Sequence, residues 1–479
     1  MKLRLFLPLF GLAFVLLASP LQSAEPLKAG AFATDTSPKM WPLAVRGTFS
    51  LRLTESSHDP LHARTLVLDD GTTRLSLTTV DSVAVTREVF DKAKAIAAEK
   101  SGIPVSNMLM AATHTHTAPY ANAQHGTPQE LAYQKLLIEG IADSVIKAAA
   151  NLQPAEIAWS GDDLPDEVFN RRWFMQPGTI PPTPFGDTTD IVKMNPPRDP
   201  HKLINPAGPT DPEVSILSVR NAKGQPLCLL ANYSLHYVGA VPNGQVSADY
   251  FGEFASLIEN RLSPYRPVEG FVGIMSNGTS GDINNINFRN PRPPREPFEQ
   301  IRIVAGKAAD SAWLAYQKVI KSHEKTVPLG MVERLVTLEL RQPTPEQIAR
   351  AKKIVAMTAE DEKSLPSLAK AYAERTLQHA EKGKSIEIKI QAIRIGDLAI
   401  VSFPFEVFAE IGLNLKDKSP FGDTFIMELA NGEHGYLPTP GQHKFGGYET
   451  WLTANRVQFN ASELLTAQLL EMLGELKKK

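Results

Sequence analysis

The chain has 479 residues, enough to bury a large core and, on length alone, to make roughly two to four domains. Its composition is that of an ordinary globular protein, with Pro (37) outnumbering Gly (31), which predicts many structured loops. A net charge of −2 argues against nucleic acid or strongly anionic surfaces as partners, and the single cysteine, Cys228, excludes an intrachain disulfide.

Residues 1–24 have the pattern of a secretory signal. Lys2 and Arg4 form a positive start, Leu5 to Ala18 an apolar stretch, and Gln22-Ser23-Ala24 a small-residue end. The apolar run is short and interrupted by Pro, so no integral membrane span is expected in the mature chain, which would be secreted or periplasmic. Removing this segment leaves 48 basic residues against 52 acidic ones, a net charge of −4.

Arg64–Leu68 and Arg74–Val85 read as two strands joined at Asp69-Asp70-Gly71, followed by an amphipathic helix from Thr86 to Lys100 that Ser101-Gly102 closes. The apolar run Met108–Ala112 then ends in Thr113-His114-Thr115-His116-Thr117, with Pro119 beyond. This strand–helix–strand order predicts a right-handed crossover between parallel strands. Alternate residues of a strand share a face, which would turn His114 and His116 into one cleft. Residues 160–212, rich in Pro, Asp and Arg, read as a long loop region able to wall a substrate cleft.

Pro226–His236 is another apolar strand ending in a histidine, with Cys228 a buried core thiol. Gly270–Met275 leads into Ser276-Asn277-Gly278-Thr279-Ser280-Gly281-Asp282. Residues 298–320 and 344–381 read as helical, the second stretch as a solvated surface pair. Gln391–Ile395, Gly396-Asp397 and Leu398–Phe403 form a hairpin delivering Pro404-Phe405-Glu406, and Phe425–Leu429 leads to Glu433-His434-Gly435-Tyr436. No fixed-period repeat is visible. The fold class expected is α/β, with mixed sheets flanked by helices and a metal site at the strand C-terminal ends.

Five apolar strands thus end in His114/His116, His236, Asp282, Glu406 and the Tyr436 loop. Two histidines, a carboxylate and one further oxygen make a reasonable zinc site with room for water, and a cation there polarises a carbonyl or acidifies water. Neighbouring His, Asp or Tyr groups would serve as proton donors or would orient the ligands.

In this order of motifs the chain resembles the catalytic domain of the neutral/alkaline ceramidases, over roughly Pro26 to Leu473. The elements are Thr-His-Thr-His-Thr, an aliphatic strand ending in His, a Ser-Asn…Gly-Asp loop, Pro-x-Glu, and Gly-Tyr followed by Tyr-Glu twelve residues on. The resemblance implies that His114, His236, Glu406 and Tyr436 bind one Zn2+, and that His116 and Tyr448 sit beside the reacting carbonyl. It also implies that Arg171, in Val168-Phe169-Asn170-Arg171, contacts substrate or oxyanion.

Two departures stand out. The family's ceramidases read Gly-Asp-x-Ser-Pro-Asn with a nucleophilic serine, whereas this chain reads Gly281-Asp282-Ile283-Asn284-Asn285-Ile286. Asn284 cannot replace that serine. The ceramidases also carry an immunoglobulin-like C-terminal domain, whereas residues 25–479 are expected to form the catalytic domain alone.

The expectation is a secreted zinc-dependent hydrolase cleaving an amide or ester, carbohydrate-linked ones included, through zinc-bound water. His116 and Tyr448 would assist proton transfer, and Asp282 and Asn284 would orient substrate or water. One alternative is a ceramidase using Ser280 as a displaced nucleophile, and another is a zinc-retaining binding protein without turnover. The partner expected is a small-molecule, lipid or glycan substrate. The physiological substrate, the choice between zinc and another divalent metal, and the oligomeric state are not readable from the sequence.

Overall fold

A computed structural model of the chain describes residues 25–47, 50–263 and 269–478, so the leader lies outside the described residues. The elements fall into three sequential groups. The first comprises β1 (Lys28–Asp35), β2 (His62–Asp69), β3 (Arg74–Val80), α1 (Arg87–Ser101), β4 (Met108–Ala112) and α2 (Pro128–Ala150). The second comprises β5 (Gln153–Asp163), β6 (Glu213–Asn221), β7 (Pro226–Tyr233), α3 (Asp249–Leu262), β8 (Val272–Asn277) and α4 (Glu299–Val319). The third comprises β9 (Leu329–Glu339), α5 (Pro345–Val355), α6 (Ala369–Ala380), β10 (Ser385–Ile395), β11 (Leu398–Ser402), α7 (Ala409–Lys418), β12 (Asp423–Met427) and α8 (Ala461–Lys478).

The first two groups share one eight-stranded mixed sheet in the order β8-β7-β6-β5-β1-β2-β3-β4. Its interior pairs are antiparallel, while the outermost pairs, β3 with β4 and β7 with β8, are parallel. Parallel neighbours need a crossover, and α1 and α3 supply one at each end. The third group makes a four-stranded sheet, β9-β10-β11-β12.

One face of each sheet contributes to a shared apolar core. It includes Leu66, Leu77, Leu109, Ile157, Leu217, Leu230 and Ile274 from the first sheet and Ile393, Ile400, Phe425 and Met427 from the second. Helices cover the outer faces: α1 and α2 over β2–β4, α3 and α4 over β6–β8, and α7 and α8 over the second sheet. Strands covered on both sides, such as β4, are therefore apolar on both faces, which explains why the run Met108–Ala112 shows no polar alternation. Cys228 is buried in the shared core. No described helix is long and apolar enough to cross a membrane.

Three local expectations change. The segment 160–212 is not all loop: β5 runs to Asp163, and Arg172–Met175 pairs with Val192–Met194 and Leu203–Pro206 in a small sheet. The strand expected over Arg74–Val85 stops at Val80, because the chain must leave the sheet to reach the α1 cap at Thr86. The helical stretch 344–381 is not simply a solvated pair, since α6 turns one face into the cleft that also holds His114 and His116.

Candidate metal and catalytic site

His114 and His116 lie past the end of β4, not on it. His114 has φ +78°, an uncommon conformation for a residue with a Cβ, so strand alternation does not account for the shared direction of the two rings. The backbone turn does. The His114 N–H donates to Ser82 O (2.8 Å) and its ring Nδ1 donates to Val83 O (2.7 Å), both on the chain leaving β3. Gly47 packs so closely on His116 that a Cβ there would lie 2.7 Å from Nδ1.

His236, three residues past β7, is held in the same manner: its Nδ1 donates to Ser280 O (3.0 Å), on the chain leaving β8. A carbonyl can only accept, so in both rings the proton sits on Nδ1 and the Nε2 lone pair points inward. These two nitrogens face each other at 2.9 Å, and His116 Nε2 lies 3.1 Å from His114 Nε2. Lone pairs directed at one another repel, and a shared cation removes the repulsion.

Glu406 completes the cluster. Its Oε2 lies 3.4 Å from His114 Nε2 and 3.8 Å from His236 Nε2, and it is buried without a hydrogen-bond partner. A carboxylate oxygen left so is costly unless a positive charge faces it. Glu406–Val407 pairs in parallel with Tyr436–Leu437, which places Tyr436 directly beside Glu406. The Tyr436 hydroxyl accepts from Arg171 Nη2 (3.1 Å), and the Tyr448 ring meets the Tyr436 ring edge-on at 5.5 Å. Two fixed imidazole acceptors, an orphaned carboxylate oxygen and a phenol fit a divalent ion of the zinc type. The His114, His116 and His236 trio alone could hold a metal ion.

The electrostatics follow from burial. Burial, with His114 and Arg171 nearby, holds the pKa values of His116 and His236 well below the usual imidazole range. For Glu406 burial acts upward, but His114, Arg171 and the Tyr436 hydroxyl outweigh it and keep the carboxyl below its ordinary value. Burial and the Glu406 charge push Tyr448 up to about 12, so its hydroxyl stays protonated at neutral pH.

The expected site residues divide into two sets. His114, His116, Glu406, Tyr436 and Tyr448 line a cleft of about 760 Å³. His236 and Arg171 are buried behind that wall. Arg171 is fixed on all sides, donating to Gly281 O (2.8 Å), to Tyr436, and to Glu449 (3.2 Å), whose other oxygen accepts from the fully buried Arg172 (2.7 Å).

Arg171, expected to contact substrate or oxyanion, does not line the cleft here; its guanidinium meets the Tyr436 hydroxyl (3.1 Å) and His236 Nε2 (3.2 Å). Ser280, Asp282 and Asn284 are likewise not on the cleft. Ser280 Oγ donates to the buried Glu428 (2.6 Å) on the Nδ1 side of His236. Asp282 accepts from Ala409 N–H (2.8 Å) and the Asn170 amide (2.7 Å), and burial pushes its pKa up to about 6. Asn284 donates to Asn195 (2.8 Å). Loop side chains turn where tertiary partners take them, so placement in a motif could not give their direction.

Sequence reasoning also missed a charged part of the cleft wall: Arg46, Glu433 and Arg456, with Glu374, Arg375 and Lys382 from and just after α6. The available signal was the polar spacing Glu374, Arg375, Gln378 and Lys382 around buried Tyr372, Ala373 and Thr376.

Comparison with known proteins gives the same architecture. Among solved structures, a ceramidase complexed with C2 aligns at a TM-score of 0.69 and 16% identity, covering 95% of this chain and 76% of that one. The neutral ceramidase from Pseudomonas aeruginosa aligns at 0.68 and 17%, covering 95% and 75%. These likenesses show a shared fold. No curated protein sequence matches the chain. The family model for neutral/alkaline non-lysosomal ceramidase, N-terminal, matches residues 53–292, just over half of the 479 residues. The chain belongs to the neutral/alkaline non-lysosomal ceramidase family, a family of hydrolases.

Proposed function

We propose that this protein is a zinc-dependent hydrolase, exported by its leader, that cleaves an amide or ester in a polar substrate, carbohydrate-linked substrates included. The observation that carries the reading is the convergence of the His114 and His236 Nε2 atoms, 2.9 Å apart, with the unpartnered Glu406 Oε2, at the base of an open cleft. His114, His236, Glu406 and Tyr436 would hold the ion. When bound, zinc polarises a carbonyl and makes water a competent nucleophile at neutral pH.

The chain's own groups supply the rest. His116, neutral at pH 7, accepts a proton as the nucleophile adds and returns it to the leaving group. Tyr448, protonated at that pH, donates a hydrogen bond to the developing oxyanion. Arg171 and Glu449 fix Tyr436, and Ser280 with Glu428 fixes His236.

The character of the cleft decides the substrate class. Among the described residues lining it there is no Leu, Ile, Met, Phe or Trp; its aliphatic wall is Val83, Ala84, Ala371 and Ala454. Long acyl chains need apolar area to leave water, and this wall offers little. Ser280 is bound to Glu428 and fully buried, which favours water over a seryl acyl-enzyme.

The test is turnover by purified protein on ceramide and on polar N-acyl, ester and glycoside substrates, before and after chelation. Hydrolysis of a polar amide or ester that chelation abolishes and zinc restores is expected. Ceramide cleavage with a covalent adduct on Ser280 would restore the acyl-enzyme alternative. A zinc-loaded protein inert on the whole panel would support the non-catalytic binding alternative.

A further inference from the structure

We infer that the cleft seats an anionic group of the substrate, a carboxylate, sulfate or phosphate on a polar molecule, against Lys382 and Arg456. This rests on the reading of the cleft as the site of hydrolysis.

Four separate segments build the seat: Arg46 before Gly47, Glu433 ahead of Tyr436, Arg456 after the Tyr448 turn, and Lys382 just beyond α6. Arg46 pairs with Glu433 at 2.7 Å. Glu433 is also within electrostatic reach of Arg456 and Lys382, and with Arg46 and Arg456 beside it its pKa falls to about 2. One carboxylate therefore faces three cations, and it stays ionised.

Elsewhere in the cleft Glu374 balances Arg375, and Glu406 belongs to the metal cluster. The wall keeps a surplus of two positive charges in a protein whose net charge is −2. Among the described residues neither Lys382 nor Arg456 forms an ion pair. Arg456 Nε donates only to the Thr453 carbonyl (3.2 Å). Partial desolvation of its ammonium in the cleft and the repulsion of Arg456 hold the Lys382 pKa down, although the residue as a whole is exposed.

Two cations that share a single carboxylate already paired with Arg46 are held at a cost, and an arriving anion relieves it. A concave wall of one sign also concentrates ligands of the other. Arg46 lies close enough to Glu406 to feel its charge, so the seat adjoins the reacting end of the cleft.

The test is binding of matched sugars to the zinc-loaded full-length protein by titration calorimetry or saturation-transfer NMR. The pairs are glucuronate against glucose, and N-acetylglucosamine 6-sulfate and 6-phosphate against N-acetylglucosamine; they separate carboxylate, sulfate and phosphate. At least one acidic member should bind roughly ten-fold tighter than its neutral partner, with affinity falling as salt rises. Lys382→Gln/Arg456→Gln should bring that ratio close to one while zinc content and melting temperature hold. The single variant Lys382→Gln, at an exposed position, should lose part of the preference without any burden on folding. Acidic sugars binding no better than neutral ones would overturn the inference, as would a preference that survives the double variant. Zinc-dependent turnover of neutral substrates alone would leave the hydrolase reading standing and defeat only this inference. An acid preference in a protein without turnover would do the reverse.

Discussion

The two ends of the eight-stranded sheet repeat one plan with the parts exchanged. Each end is an antiparallel hairpin, β2–β3 or β6–β7, a helix, and an edge strand returning parallel to the hairpin's second strand, β4 or β8. At the first end His114 follows the edge strand and is propped by Val83 O from the chain after β3. At the second, His236 follows β7 and is propped by Ser280 O from the chain after the edge strand. Parallel neighbours release their chains at the same end of the sheet, so either chain can carry the imidazole while the other supplies the carbonyl. The topology dictates where the imidazoles stand, and the sequence chooses which strand provides them. The props also differ, since Val83 offers only backbone whereas Ser280 has a side chain buttressed by Glu428.

Removing either imidazole is the largest expected effect. His114→Ala and His236→Ala should each lose stoichiometric zinc by elemental analysis, because on the proposed reading each end supplies one imidazole to the ion. A variant of either that keeps full zinc would break the comparison. His116→Ala should keep its zinc yet lose roughly 10²–10⁴-fold in kcat, the range of a general acid–base group, once a substrate is in hand. Loss of zinc instead would make His116 a ligand.

The unequal props sharpen the comparison. Ser280→Ala and Glu428→Leu should weaken zinc affinity by roughly 10–100-fold in competition with a chromophoric chelator. Val83→Ala should change it little, since the prop there is a carbonyl. Ser280→Ala saturated with zinc should retain most turnover.

The smallest effect concerns Lys94, on α1, which donates to Asn431 (2.7 Å) in the turn before Glu433 and Tyr436; burial lowers its pKa to about 7. Between about pH 7 and the ordinary lysine value of 10.5 the unfolded chain holds a proton that the folded one has released. Stability contributed by this group therefore rises with pH through that window and is at its lowest below it. Lys94→Met should flatten the rise in denaturant titrations from pH 7 to 9, and an unchanged slope would contradict the assignment.

Much of this was legible in the sequence, for physical reasons. Strands apolar on both faces stand out as runs, and a polar side chain just past such a run emerges near the sheet's end, which is how the region of His114, His236, Glu406 and Tyr436 could be seen, while the choice of these four as a zinc set came from the resemblance to the ceramidases. The left-handed turn at His114 was not legible, because local propensity opposes it and only the hydrogen bonds to Ser82 and Val83 impose it. Nor was the inward turn of Arg171, Asp282 and Asn284, whose partners Glu449, Ala409 and Asn195 are distant in sequence. The wall of Lys382 and Arg456 is assembled from segments that share no motif.

The most direct test of the proposed metal centre is X-ray absorption at the zinc edge of the zinc-loaded protein. Two imidazole nitrogens and two oxygen donors at about 2.0–2.2 Å are expected, from His114, His236, Glu406 and Tyr436. A spectrum requiring three imidazoles, or a protein that takes up no zinc, would contradict the account.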